Sequence, residues 1–82
     1  MKISLKMLGG LRVFLPTAGE FSRCDLQLSE GATINDVIAK VGLAADRPFF
    51  VMFSGKKIEA SDYTTLLKEG DEVIMFPPVK GG

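Results

Sequence analysis

The fold is decided by the stretch Thr33–Gly42, which reads TINDVIAKVG. Its apolar residues recur at i, i+3, i+4 and i+7, the spacing of one face of a short amphipathic helix. Thr33 suits the position before the first turn, and Asp36 stands where the acidic partner of a capping box reaches back. Gly42 then supplies a stop. A helix of about nine residues is too short to persist alone in water, so we expect it to pack against a sheet.

Two alternating segments precede this helix and predict a hairpin. The first segment turns one set of residues to one side of a strand, and these are Met1, Ile3, Leu5 and Met7. Gly9 and Gly10 follow this segment and predict a turn. The second segment alternates in the same way at Cys24, Leu26 and Leu28. Period-two patterning is typical of half-buried strands. We therefore expect Cys24 to face the core and to behave there as a small apolar side chain.

The chain after the helix predicts returning strands. Phe49–Phe53 is continuously apolar and predicts a strand, which is followed by a turn at 54–57 and by a short strand at Ile58. Glu72–Phe76 reads as the last strand, ended by two prolines that cannot donate to a sheet. We expect this strand to lie beside the first, which gives an α+β fold. It is a β-grasp with a mixed sheet of four to five strands and one main helix across one face. The domain would cover 1–76, and 77–82 would form an extended flexible tail.

Composition narrows the class of protein. The 82 residues hold ten basic and ten acidic side chains, and a net charge of zero argues against nucleic-acid binding. No apolar run is long enough for a membrane span. A single cysteine and the absence of histidine provide neither an internal disulfide nor a metal site. Together with an N-terminus unlike a signal peptide, they indicate a cytoplasmic protein. No nucleophile–base pair or phosphate loop is present, so we expect no catalysis by the chain itself.

The alternation also predicts a surface for partners. If Val51 and Val73 face the helix, four large apolar side chains face outward on adjacent strands, and these are Phe50, Met52, Ile74 and Phe76. Soluble monomers seldom expose such a patch without reason. Methionine and aromatic residues are also favoured at interfaces. We therefore expect this patch to bind partner proteins.

The last residues predict a reactive end. Pro77 and Pro78 prevent further sheet pairing, and Gly81 and Gly82 carry no side chain that would block a narrow channel. Six residues from Pro77 can reach about 20 Å. The group delivered is the carboxylate of Gly82, which becomes an electrophile once a partner enzyme adenylates it with ATP. The chain itself is expected to bind no cofactor.

The stretch 67–82, LKEGDEVIMFPPVKGG, resembles the end of MoaD-type proteins, the small subunit of molybdopterin synthase. Related ThiS sulfur carriers share the fold and the Gly-Gly end, and ubiquitin is similar more distantly. The resemblance implies a ubiquitin-like β-grasp whose Gly82 is adenylated by a ubiquitin-activating-type enzyme and converted to a thiocarboxylate. It implies that a sulfur donor protein and the large synthase subunit are partners, and that molybdenum or tungsten cofactor is the product. The docking tail would comprise Phe76, Pro77, Pro78, Val79 and Gly81, beside the non-family residue Lys80.

Other roles fit the same tail. The thiocarboxylate could supply thiamine or another metabolite. Gly82 could instead form isopeptide bonds with lysines, as in a protein modifier, or the tail of an interaction domain could be inert. Lys80 stands where many family members have alanine. Its charged stem could meet an acidic wall of a partner, or it could mark a branch of the family with a different acceptor.

Overall fold

The alternating segments pair as the sequence predicts. In the computed structural model, which describes residues 1–14, 23–42 and 48–78, they form strands β1 (Lys2–Met7) and β2 (Arg23–Gln27). After helix α1 (Ile34–Val41) come β3 (Phe50–Phe53), β4 (Lys56–Ile58) and β5 (Glu72–Phe76). The sheet order is β2-β1-β5-β3-β4, with β1 and β5 parallel and the other neighbours antiparallel. The predicted β-grasp, with its last strand beside its first, is therefore confirmed.

The core lies between the sheet and α1. The inward residues of the parallel strands β1 and β5 are at most 1% exposed, and these are Ile3, Leu5, Met7, Val73 and Met75. The helix contributes Ile34, Val37 and Val41 from its apolar face. Each fully buried side chain of this size stabilises the fold by about 1.5–3 kcal/mol. Cys24 is 7% exposed and belongs to this cluster, as the alternation predicted.

The helix begins and ends where the sequence indicates. A carboxylate oxygen of Asp36 accepts a hydrogen bond of 2.8 Å from the Thr33 backbone N–H. The Asp36 N–H in turn donates to the Thr33 hydroxyl at 3.4 Å, which completes the capping box. Gly42 ends the helix in a left-handed conformation with φ of 76°. These contacts hold the ends of the helix in place, although the helix is short, with only eight residues.

The segment between β4 and β5 passes along the start of α1. It contains a short 3-10 helix, Ala60–Asp62. Tyr63 follows, and its carbonyl accepts a 2.9 Å hydrogen bond from the N–H of Asn35, one of the first-turn donors of α1. Its ring stacks on Phe49 with 6.4 Å between the ring centroids. Burial, and then the charge of Glu59, raise the pKa of the Tyr63 phenol above 10.0.

Three local predictions were wrong. Lys56 and Lys57 belong to β4, because a two-residue turn at Ser54-Gly55 suffices to reverse the chain. Both turn residues have positive φ, 55° and 80°, as a type I′ hairpin turn requires. Gly9 and Gly10, read as a turn, begin a 3-10 helix that buries Leu11. Phe49 lies outside β3, with its ring packed on the core.

Backbone hydrogen bonds between β1 and the turn before β5 fix the register of the last strand. The N–H of Gly70 donates to the carbonyl of Lys2 at 2.8 Å, and the N–H of Ser4 donates to the carbonyl of Asp71 at the same distance. Leu5 consequently lies opposite Val73. Because side chains alternate along a strand, a shift of one residue would exchange the inner and outer faces of β5. This register decides which side chains face away from the helix.

Candidate partner-binding surface and tail root

The face of the sheet opposite α1 carries an apolar patch. Register places Met52 opposite Ile74 and Phe50 opposite Phe76 on the antiparallel strands β3 and β5. The two phenylalanine rings lie 5.5 Å apart between centroids, tilted by 43°. All four side chains are partly buried, so they cover one another in part while still presenting apolar surface. We call these four residues the outer patch.

A lysine flanks the outer patch on each side. Lys6 of β1 lies opposite Ile74, and Lys57 of β4 lies opposite Met52. One row of side chains therefore crosses four strands in the order Lys6, Ile74, Met52 and Lys57. The row has cations at both ends and apolar groups between them. The ammonium of Lys57 lies 4.2 Å from the ring centroid of Phe50, within cation–π range. Among the described residues, Lys6 takes part in no ion pair.

Nearby charges at the β2 edge of the face are paired. Arg23 binds Glu72 at 2.6 Å between nitrogen and oxygen. Lys2 lies 3.9 Å from a carboxylate oxygen of Asp25. Exposed pairs of this kind contribute about 0–1 kcal/mol to stability. Their effect here is to neutralise local charge, so the positive charge beside the patch rests on Lys6 and Lys57.

The outer patch continues into the root of the tail. An apolar groove at its edge is lined by Leu8, Gly9, Met52, Phe76 and Pro77. The chain turns a corner at Leu8 and Gly9, directly after β1. The N–H of Leu8 donates to the carbonyl of Met75 at 2.9 Å, which keeps this corner against β5. Pro77 is partly buried in the corner, whereas Pro78 is exposed. A molecule seated on the patch would therefore touch the first residue of the tail.

The structure brings together part of the predicted site. The four patch residues form one surface, and Pro77 adjoins it. Val79, Lys80, Gly81 and Gly82 lie outside the described residues, so the division into a domain of 1–76 and a tail of 77–82 stays a prediction. Lys6, Lys57, Leu8 and Gly9 were not predicted to belong to the site. The alternation of Lys6 with Leu5 and Met7 could have placed it on the outer face.

Within residues 1–14, 23–42 and 48–78, no group of three or more His, Cys, Asp or Glu residues is arranged to hold a metal ion. No helix in this part of the chain is long and apolar enough to cross a membrane.

Comparison with solved structures supports the fold. SAMP1 from Haloferax volcanii superposes with a TM-score of 0.70 over 100% of both chains at 18% identity. A second structure of that organism's small archaeal modifier protein 1 gives 0.69 over 95% of this chain and 98% of the other, at 17% identity. A ubiquitin-like protein from Caldiarchaeum subterraneum gives 0.54 over 99% and 100%, at 18% identity.

Comparison with sequences identifies the family. No match is found among curated proteins. The model of the ThiS family matches residues 17–82, which is most of the chain. Proteins of the ThiS family are carriers rather than enzymes, and they work with E1-like activating enzymes. The chain therefore belongs to the ThiS family of ubiquitin-like β-grasp proteins.

Proposed function

We propose that the chain carries sulfur on Gly82 for the synthesis of molybdopterin. The observation that carries the proposal is the continuity between the outer patch and the tail root, since Phe76 belongs to the patch and Pro77 comes directly after it. A partner that grips the patch also receives the tail. The Gly-Gly end and the resemblance of 67–82 to MoaD-type proteins supply the chemistry.

The carrier cycle begins with adenylation. A carboxylate oxygen of Gly82 attacks the α-phosphorus of ATP in an E1-like enzyme, and pyrophosphate leaves. The terminal sulfur of a donor protein's cysteine persulfide then attacks the acyl carbon, and AMP leaves. A second thiol attacks the donor cysteine's sulfur in the acyl disulfide, which releases the thiocarboxylate and leaves a disulfide. The large subunit of molybdopterin synthase would accept the loaded tail and pass the sulfur to the pterin precursor.

The outer patch would serve both partners in turn. Its apolar centre favours burial against an apolar surface, whereas Lys6 and Lys57 favour carboxylates on both sides of that surface. A partner of this chemistry would be acidic around an apolar centre. Because the activating enzyme and the synthase subunit would use one surface, their complexes would exclude each other, and the carrier would have to leave one before reaching the next.

A mass measurement tests the carriage of sulfur. The purified chain is incubated with its host's E1-like enzyme, ATP and a persulfide donor, and its intact mass is recorded. We expect a gain equal to the mass difference between sulfur and oxygen, and no gain in a variant lacking Gly81 and Gly82. Adding the synthase large subunit and pterin precursor should then yield molybdopterin. A loaded chain that yields no molybdopterin would exclude that product and leave thiamine or another metabolite as the acceptor.

A second candidate function is protein modification. The neighbours from Haloferax volcanii are named small archaeal modifier proteins, and the same acyl-adenylate could react with a lysine amine to give an isopeptide bond and AMP. This function would appear as higher-mass conjugates on a denaturing gel after incubation with the activating enzyme, ATP and host proteins. Conjugates with no thiocarboxylate would favour the modifier over the carrier.

A matched pair of variants tests the patch. Met52→Asp places a charge directly opposite Ile74 in the outer patch. It should raise the KM for the chain in the activating reaction by about a hundredfold, as loss of a central interface contact does. Leu66→Asp is the control, because Leu66 is 62% exposed and lies beside Thr33 at the start of α1. Equal activity of the two variants, both folded, would reject the patch as the docking surface.

The flanking lysines allow a separate test. A double variant with Lys6→Glu and Lys57→Glu should slow association with the activating enzyme and reverse its dependence on salt, since charges at an interface rim act mainly on the association rate. Lys40→Glu, an exposed change on α1, is the control. Unchanged association of the double variant at low salt would remove the acidic requirement on the partner.

A further inference from the structure

Gly9 occupies a corner in which a side chain would collide with the tail. Its φ is +57°, in the region that L-residues rarely adopt. A Cβ placed there would lie 2.9 Å from Cγ and 3.3 Å from Cδ of Pro77. The missing side chain is therefore the feature that lets the proline ring rest against the Gly9 backbone. None of the other described glycines meets the tail in this way, since a Cβ on any of them finds no atom within 4 Å.

We propose that Gly9 is a positioning residue, a seat for Pro77 that sets the direction in which the tail leaves the domain. The proposal rests on the proposed function of Gly82 as the group that is adenylated. The seat acts through Pro77, whose ring also forms part of the groove beside Phe76. It would aim the tail from the same edge at which a partner docks.

The corner has little freedom to absorb an added methyl group. On one side Leu11 is 1% exposed and anchors the 3-10 helix in the core. On the other side the hydrogen bond from Leu8 to Met75 holds the corner on β5. Since the Gly9 side is held in place, an added methyl group must displace Pro77, which moves outward by a substantial fraction of an ångström. The tail starts at Pro77, whose ring fixes its φ, so a displaced Pro77 changes the direction in which the tail leaves the domain.

Such a displacement should act on the reaction step more than on docking. Binding through the outer patch does not require the tail to be aimed, whereas attack on the α-phosphorus requires the Gly82 carboxylate in place. A misplacement of about 1 Å can cost about a hundredfold in rate. We therefore expect Gly9→Ala to lower kcat by about ten- to a hundredfold and to leave KM for the chain within about twofold.

The experiment measures ATP–pyrophosphate exchange by the host's E1-like enzyme at varied concentrations of the carrier. Two glycines supply matched controls. Gly10→Ala adds a methyl group next door, where no atom lies within 4 Å and φ is not positive. Gly31→Ala imposes the strain of a positive φ, +86°, far from the tail and without any contact. Both controls should keep the kcat of the wild type. A kcat for Gly9→Ala equal to that of Gly10→Ala would overturn the proposal.

Removal of the proline ring separates the contact from backbone strain. Pro77→Ala takes away both Cγ and Cδ, so Gly9→Ala should cost much less in that background than in the wild type. An equal loss in both backgrounds would show that the contact with Pro77 is not the cause. Pro77→Ala alone should lower kcat because the tail loses its seat, and this arm does not depend on the folding of Gly9→Ala. Absence of exchange with the wild-type chain would instead reject the proposed function itself.

Discussion

The turn between β3 and β4 offers a direct test of local backbone strain. Ser54 has a φ of 55°, and Gly55 comes next with 80°. The left-handed region costs an ordinary L-residue about 1–2 kcal/mol, whereas asparagine enters it more readily because its side chain bonds to the local backbone. Ser54→Asn should therefore raise the free energy of unfolding by about 1 kcal/mol. Ser54→Gly should gain less, because glycine's freedom in the unfolded chain offsets about 0.4–1 kcal/mol.

Thermal unfolding measures the effect. For a domain of this size, 1 kcal/mol corresponds to a shift of about 4–8 °C in Tm, so Ser54→Asn should melt higher by about that amount. Gly55→Ala is the converse control: no atom lies within 4 Å of its added Cβ, so its loss of about 1–2 kcal/mol would be conformational. The reasoning fails if Ser54→Asn has a Tm no higher than that of the wild type and Gly55→Ala has a Tm equal to that of the wild type. The turn would then not hold two left-handed residues.

Three further predictions concern stability. Thr33→Ala removes the hydroxyl cap of α1 and should lower the free energy of unfolding by about 1 kcal/mol in a urea titration; no loss would mean that the cap is replaced by water. Ser4→Ala should instead raise it by about 1 kcal/mol, since the buried Ser4 hydroxyl finds no hydrogen-bond partner in the described part of the chain, whereas exposed Ser29→Ala should change little. The raised pKa of Tyr63 means that this phenol ionises in the unfolded chain at a lower pH than in the folded one. The contribution of Tyr63 to stability is therefore fully present below pH 10.0 and is lost as the pH rises towards the folded-state pKa. Tyr63→Phe should show a shallower alkaline fall in Tm, and identical slopes would contradict the assignment.

The regular elements could be predicted because each carries a period long enough to recognise. β1, β2 and β5 alternate over five or six residues, and α1 has both its stripe and its caps. The short strand at Ile58 could be predicted, but its start at Lys56 could not, because the two lysines that open β4 carry no apolar pattern. The 3-10 helix at Gly9 escaped for a related reason: two glycines in sequence favour a turn, and only the burial of Leu11 distinguishes the helix from one.

Part of the candidate site could likewise be predicted from the sequence, and part could not. The outer patch could be predicted from alternation within β3 and β5, since a strand's faces can be read from its own residues. The lysines beside it could not be assigned, because Lys6 and Lys57 become neighbours of the patch through the lateral order of four strands. The contact between Gly9 and Pro77 joins segments far apart in the chain, and its distance depends on the packing of a single ring.

The place of β5 in the sheet has a consequence for biosynthesis. Of the described strands, β5 comes last along the chain, yet it lies between β1 and β3 and joins the two halves of the sheet. A nascent chain that lacks it has two separate hairpins, and an isolated hairpin is at best marginally stable. The sheet can therefore close only after residues 72–76 have left the ribosome. The two halves of the outer patch, on β3 and β5, meet only at that point, so the proposed docking surface is absent until β5 has joined the sheet.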